Sequence, residues 1–246
     1  MTIDTDDLLN SIIESLGRIR QIDVEDIPNI DLYMDQVTTF MDSKLKSTTR
    51  NPQEDKILTK TMINNYAKND LLPPPVKKKY SREHVLILIF IYYYKGILSI
   101  SDIQALLKPI TERFFTSEGE FNLSDIYREV FSLEEKQVDV VKEDIMQKFQ
   151  VSTETFQNAP ESDQDFLQLF SFICMLSFDV YVKKLLIEKM VDSFGEAAGK
   201  NESSKEAKSK ENKNNKAGKG KREDKADRED RTDGEQTENG SKAEMD

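Results

Sequence analysis

The sequence predicts a mainly α-helical protein, and three observations carry that prediction. Apolar residues recur at helical spacing nearly everywhere, and no alternating strand of any length is visible. Most turn signals fall between these periodic segments rather than inside them. Finally, the apolar residues are concentrated: of 246 residues, the first 193 are roughly 43% apolar, enough for a sizeable core. One cysteine, Cys174, excludes a disulfide framework, and one histidine, His84, excludes a His-pair metal site. No glycine-rich phosphate loop, metal-ligand spacing or nucleophile arrangement is present, so neither an enzyme nor a cofactor is expected.

Taken in order, residues 4–20 place Leu8, Leu9, Ile12, Ile13, Leu16 and Ile19 on one stripe of an amphipathic helix, which Ile22–Pro28 breaks. Asp31 offers an N-cap for a helix carrying Val37, Phe40, Met41 and Leu45. Ser47–Glu54 is a polar connection. Thr59 caps a short helix that runs to about Lys68, with Asn69-Asp70 as a left-handed stop. Pro73-Pro74-Pro75 makes Leu71–Tyr80 a stiff extended loop. Ser81 caps a helix over Arg82–Lys95, which Gly96 ends. Ser99 and Asp102 form a capping box for the next, which stops at Pro109.

Two long helices follow. One covers Ser124–Gln150; the other covers about Asp163–Phe194, with Ser162 and Asp165 as its capping box, and spans roughly 45 Å. The first half of the second is apolar almost all round, so neighbours or a second subunit should wrap it. Val85–Tyr94 and Phe166–Phe178 are the longest apolar runs, and both fall short of the ~20 residues a bilayer crossing needs. With an acidic, non-signal N-terminus, the expectation is a cytoplasmic protein that avoids membranes. Residues 195–246 lack an apolar period and are expected to be a disordered charged tail. The predicted organisation is therefore an N-terminal helix (1–26), a central domain (27–110), a helical dimerisation or effector region (120–194) and the tail.

Charge is distributed unevenly. Residues 1–193 carry 22 Lys and Arg against 32 Asp and Glu, a net of −10. Within them, Lys56–Arg82 holds seven basic residues against Asp70 alone, a net of +6, leaving −16 elsewhere. A basic island on an acidic body points toward a polyanion. The short helix offers Lys60, Thr61, Asn64, Asn65 and Lys68 on its polar side. Asn can bond the adenine edge in the major groove, and Lys can reach guanine or phosphate. The loop beside it, with Lys77, Lys78 and Lys79, would sit over backbone phosphates and supply salt-sensitive affinity.

The stretch Thr59-Lys60-Thr61-Met62-Ile63-Asn64-Asn65-Tyr66-Ala67-Lys68-Asn69-Asp70-Leu71-Leu72-Pro73-Pro74-Pro75, then Lys79-Tyr80-Ser81, then Leu98–Leu107, resembles the DNA-binding half of MerR-type regulators. From Ile27-Pro28-Asn29 to about Leu107 the chain also resembles an uncharacterised bacterial family, domain of unknown function 1836. The resemblance implies a MerR-like winged helix-turn-helix, and the two long helices beyond it are expected to form a C-terminal helical hairpin. It also implies nucleic-acid contacts by Lys60, Asn64, Tyr66, Lys68, Lys78, Lys79, Tyr80 and Arg82. The chain departs from the MerR pattern at Asn64, where arginine is usual, at Asn65, where an aromatic is usual, and in the long Ser47–Leu58 connection.

The expected function is a DNA-binding transcriptional regulator, working as a homodimer on double-stranded DNA, with helix 59–68 in the groove and wing 73–80 on phosphates. The alternative is a protein-interaction adaptor on a winged helix that no longer binds DNA, with an unknown effector or protein as partner. His84 reads as structural and Cys174 as a small hydrophobe. Tyr92, Tyr93 and Tyr94 point about 100° apart and cannot make one stacking face. Glu134, Glu135, Asp139, Glu143 and Asp144 read as a solvated helix face.

Overall fold

The computed structural model describes residues 5–16, 22–117 and 119–226, and the chain divides into two units, Met1–Phe194 and Gly195–Asp246. The most apolar run of the chain occupies the centre of the first unit. There α4 (Arg82–Tyr94) buries every residue from His84 to Ile91, which a helix does only when neighbours surround it. α5 (Ile100–Phe114) and α6 (Leu123–Thr153) pack against it.

The N-terminal helix α1 (Thr5–Leu16) packs on α6, while residues 4 and 17–20 of the predicted helix lie outside the described residues. Ile22, Val24 and Ile27 then enter the same core as α4. Two contacts clasp this segment to α6: the Tyr127 hydroxyl donates to the Ile22 carbonyl at 2.8 Å, and Arg128 pairs with Glu25 at 2.8 Å. The Arg128 guanidinium holds the Glu25 carboxyl below its usual pKa.

Two strands appear where the sequence showed none. β1 (Leu32–Tyr33) pairs antiparallel with β2 (Lys79–Tyr80), Leu32 facing Tyr80 and Tyr33 facing Lys79. Each strand is two residues long, too short for alternation to register. The pairing also moves the start of α2 (Met34–Leu45): its N-cap is Tyr33 rather than Asp31, with the Tyr33 N–H donating to Gln36 Oε1 at 2.8 Å. A residue held in a strand cannot belong to the helix, so α2 begins after the ladder.

α3 (Lys60–Lys68) forms as its sequence predicts. Thr59 Oγ1 accepts from the Met62 N–H at 3.2 Å, and Asp70 ends the run at φ 53°. α5 instead continues through Pro109, where the sequence predicted a stop. Proline removes one helical hydrogen bond, but Ile110 and Phe114 beyond it pack on the core and draw the helix onward. α6 begins at Leu123, capped by Asn122, whose side chain accepts from Ser124 N at 2.9 Å.

α7 (Glu161–Ala226) starts after Pro160 without the predicted box, because Ser162 Oγ turns to the Asp163 carboxylate at 3.3 Å. Its early turns run back along α6. Phe172 meets Phe149 edge-on at 5.4 Å, and Lys148 bridges Asp144 and Asp179, the latter at 2.7 Å. Those two carboxylates hold the Lys148 pKa above its usual value. In the second unit the chain is helical to Ala226, where the sequence predicted disorder from Gly195. Those residues are rich in Lys, Glu and Ala and contain no proline, so helix propensity is favourable without an apolar stripe. Residues 227–246 lie outside the described residues.

Candidate nucleic-acid interface

α3 is two-sided. Ile63 and Tyr66 are buried and Met62 is half-buried, while Lys60, Thr61, Asn64, Asn65 and Lys68 are exposed. At 100° per residue the five exposed residues fall in one sector and the inner ones in the other. The helix is pinned at its far end, where Gln104 of α5 donates to the Asn69 carbonyl at 3.0 Å.

The loop before β2 is not simply extended. Val76 and Lys79 exchange backbone hydrogen bonds at 3.1 and 3.0 Å, closing a two-residue hairpin turn. At its tip Lys77 and Lys78 have φ of 51° and 65°. Such turns favour Asn and Gly, because a side chain in the left-handed region is strained. Here two consecutive lysines hold it, and both are exposed.

A chain of contacts ties this hairpin to the start of α3. Lys79 Nζ lies 5.4 Å from the centroid of the Tyr33 ring, its partner across the sheet. Two residues further on, Asp35 in the first turn of α2 forms an ion pair with Lys60. The N-cap and first turn of α2 together therefore touch both basic elements, and the exposed Tyr33 ring stands at the junction. Sequence reasoning missed Tyr33 and Asp35. Their one available signal was that a tyrosine and an acid sit at a helix start, which does not indicate a surface.

Three predicted contact residues are turned to structural work. Tyr66 is 7% exposed within the core, and burial raises its phenol pKa. Its backbone carbonyl accepts from Leu71 and Leu72 at 2.9 and 3.1 Å, closing the α3 terminus. Tyr80 is 2% exposed, likewise with a raised pKa, and meets His84 edge-on at 5.4 Å. Arg82 donates to the carbonyls of Val24 at 2.5 Å and Ile27 at 3.3 Å, so its guanidinium fastens the N-terminal segment. Those side chains match the resemblance in type, but packing takes them inward.

His84 is structural, as its position in the sequence suggested. Its Nδ1 accepts from the Ser81 N–H at 2.9 Å, so that nitrogen carries no proton. The ring is packed between Tyr80 and Phe115, and burial pushes its pKa below 6.5 against the opposing effect of the Pro74 carbonyl. Lys95, outside the predicted set, donates to the Ile57 carbonyl at 2.7 Å, and its burial lowers its pKa. Tyr92 and Tyr93 meet edge-on instead of forming one face.

A separate apolar cavity of 240 Å³ lies between α4, α5, α6 and α7, lined by Phe90, Leu107, Pro109, Ile110, Val130 and Phe194. Among the described residues, no group of three or more His, Cys, Asp or Glu is placed to hold a metal ion. Nor is any described helix long and apolar enough to cross a membrane.

Residues 22–130 match a family model described as domain of unknown function (DUF1836). The match begins at Ile22, whose carbonyl receives the Tyr127 hydroxyl, and ends just beyond Tyr127. It contains the whole basic island. No curated protein and no solved structure matches the chain.

Proposed function

We propose that the DUF1836 domain of this chain binds double-stranded DNA as a winged helix-turn-helix, and that the protein is a transcriptional regulator. The observation that carries the reading is the joint exposure of two basic elements. The α3 face of Lys60, Thr61, Asn64, Asn65 and Lys68 is connected through Asp35 and Tyr33 to the lysine-tipped hairpin. In this reading α3 enters the major groove, where Asn64 and Asn65 meet base edges. Lys77, Lys78 and Lys79 rest on phosphates and set register without reading sequence. The order of helix pair, hairpin and following helix supports the MerR-like resemblance of residues 59–107. One α3 spans few base pairs, so two copies on two half-sites are expected.

A second reading, a protein-binding adaptor, is favoured by one observation: Asp35 occupies Lys60, withdrawing a cation from the face that would meet phosphate. Fluorescence anisotropy with random duplex DNA across a salt series separates the two, followed by sequencing of the retained fraction. The DNA reading expects affinity that falls steeply with salt and an enriched, two-fold symmetric motif. Replacing Lys77, Lys78 and Lys79 together by Ala should flatten the salt slope by up to about three units. Unchanged affinity and slope in that variant would remove the hairpin from the interface, and absence of binding at low salt would leave the adaptor.

A further inference from the structure

α7 leaves an apolar face uncovered in the first unit. Its inner side meets α6 through Gln168, Phe172 and Asp179, which contact Thr153, Phe149 and Lys148. Its outer side exposes Phe166 66%, Phe170 53%, Ile173 52%, Phe178 65%, Val180 64% and Tyr181 63%. Between Phe166 and Val182 the one charged residue is Asp179, which is turned inward to Lys148. With about 150–200 Å² for a fully exposed large apolar side chain, these exposed fractions give the face on the order of 600 Å². That approaches the roughly 800 Å² each partner contributes to a standard stable interface.

Charge at the ends of the patch identifies its occupant. Glu161, Asp163 and Asp165 precede it, and Lys183 and Lys184 follow it. At 100° per residue, Asp163, Phe166, Phe170, Ile173, Ser177, Tyr181 and Lys184 fall within one sector about 100° wide, with Cys174 at its edge. That stripe is self-complementary when reversed. Antiparallel pairing sets Asp163 against the partner's Lys184, Phe166 against the partner's Tyr181 and Phe170 against the partner's Ser177. A parallel pairing would stack acid on acid and lysine on lysine. A membrane-surface helix would need basic residues along its polar side, whereas this one opens with three acids.

We propose that this face of α7 is the seam of an antiparallel homodimer, a second copy of the chain packing about a twofold axis between Ile173 and Cys174. An isologous contact of this kind uses the same patch on both copies. The axis places the one cysteine of each chain, itself exposed, beside its counterpart. Lys184 keeps only a weak exposed pairing with Glu188, at 3.7 Å, and is available to a partner. The proposal does not rest on DNA binding, and its test omits DNA.

The test is sedimentation of the full chain over a concentration series, with crosslinking by a short bis-maleimide. A dimer crosslinked through Cys174 is expected, and Cys174→Ser should abolish the crosslink without dissociating the dimer. Asp163→Lys and Lys184→Asp should each weaken dimerisation about tenfold, and the double exchange should restore it. Circular dichroism of each variant distinguishes a lost interface from a lost fold. A chain that stays monomeric overturns the proposal, whether it then floats with lipid vesicles or stays in solution to await another protein. A dimer indifferent to both charge reversals, or one the double exchange fails to rescue, overturns it as well.

Discussion

The Lys79 ammonium lies over the ring of Tyr33, 5.4 Å from its centroid, and the two residues are cross-strand partners in a sheet of two strands. This contact orients the basic hairpin, because the next residues back, Lys77 and Lys78, have no ladder partner of their own among the described strands. Cation and ring hold the base of the turn while its tip projects two ammonium groups. The arrangement couples a strained backbone to an exposed charge, and the two can be separated by mutation.

Replacing Lys77 by Asn and Lys78 by Gly supplies the residues that a left-handed pair prefers. Relief of strain at φ 51° and 65° should stabilise the fold by about 1 kcal/mol. The same change removes two positive charges, so DNA affinity should fall while the thermal midpoint rises. Thermal melts and anisotropy on one preparation check both. A lowered midpoint would mean that the lysines hold the turn by contacts other than charge.

On α3, the inner and outer faces should respond oppositely. Asn64→Ala changes an exposed side chain and should leave stability within about 0.5 kcal/mol, while base discrimination at one position relaxes. Tyr66→Ala empties a core site and should cost about 3 kcal/mol or more. Urea midpoints separate the two, and a Tyr66 variant that folds normally would place the ring outside the core.

Arg82→Met retains the aliphatic stem but loses both hydrogen bonds to the carbonyls of Val24 and Ile27. The loss should destabilise the domain by roughly 2 kcal/mol, the scale of a charged donor. The salt dependence of DNA binding should not change, since the guanidinium faces the protein. A flatter slope in the folded variant would return Arg82 to the interface.

His84 makes the fold sensitive to acid. Its pKa is lowered in the folded protein, so below 6.5 the unfolded chain binds a proton that the folded one refuses. Stability therefore falls as pH drops from 6.5 toward the lower folded value, and is fully present above it. His84→Gln keeps an acceptor at the third helical position, where glutamine suits a capping box. The variant should lose less stability between pH 7.5 and pH 5.5 by chemical denaturation. Parallel losses in the two proteins would assign the sensitivity to carboxylates.

Much of the helical layout is legible in the sequence because its signals are local. Thr59, Ser81 and Ser99 mark helix starts through bonds to residues three positions away, and Asp70 marks a stop through its own backbone. The exposed face of α3 follows from period alone. Two of the misreadings are cases where a distant partner prevailed. Asp31 lost the cap of α2 to Tyr33 because Leu32 and Tyr33 pair with β2. Pro109 failed to stop α5 because Ile110 and Phe114 had a core to reach.

By itself, then, the sequence determined that the chain is mainly helical, where α3 starts and ends, and that a basic island interrupts an acidic body. Short-range hydrogen bonding, helical period and charge count require no knowledge of neighbours. Tertiary structure decided which members of the island face outward. Tyr66, Tyr80 and Arg82 are of the same residue types as surface contacts, and only packing turns them inward. It also left Phe166, Phe170 and Phe178 uncovered on a helix whose composition predicted burial. A helix apolar on every side needs partners on every side, and α6 covers only one of them.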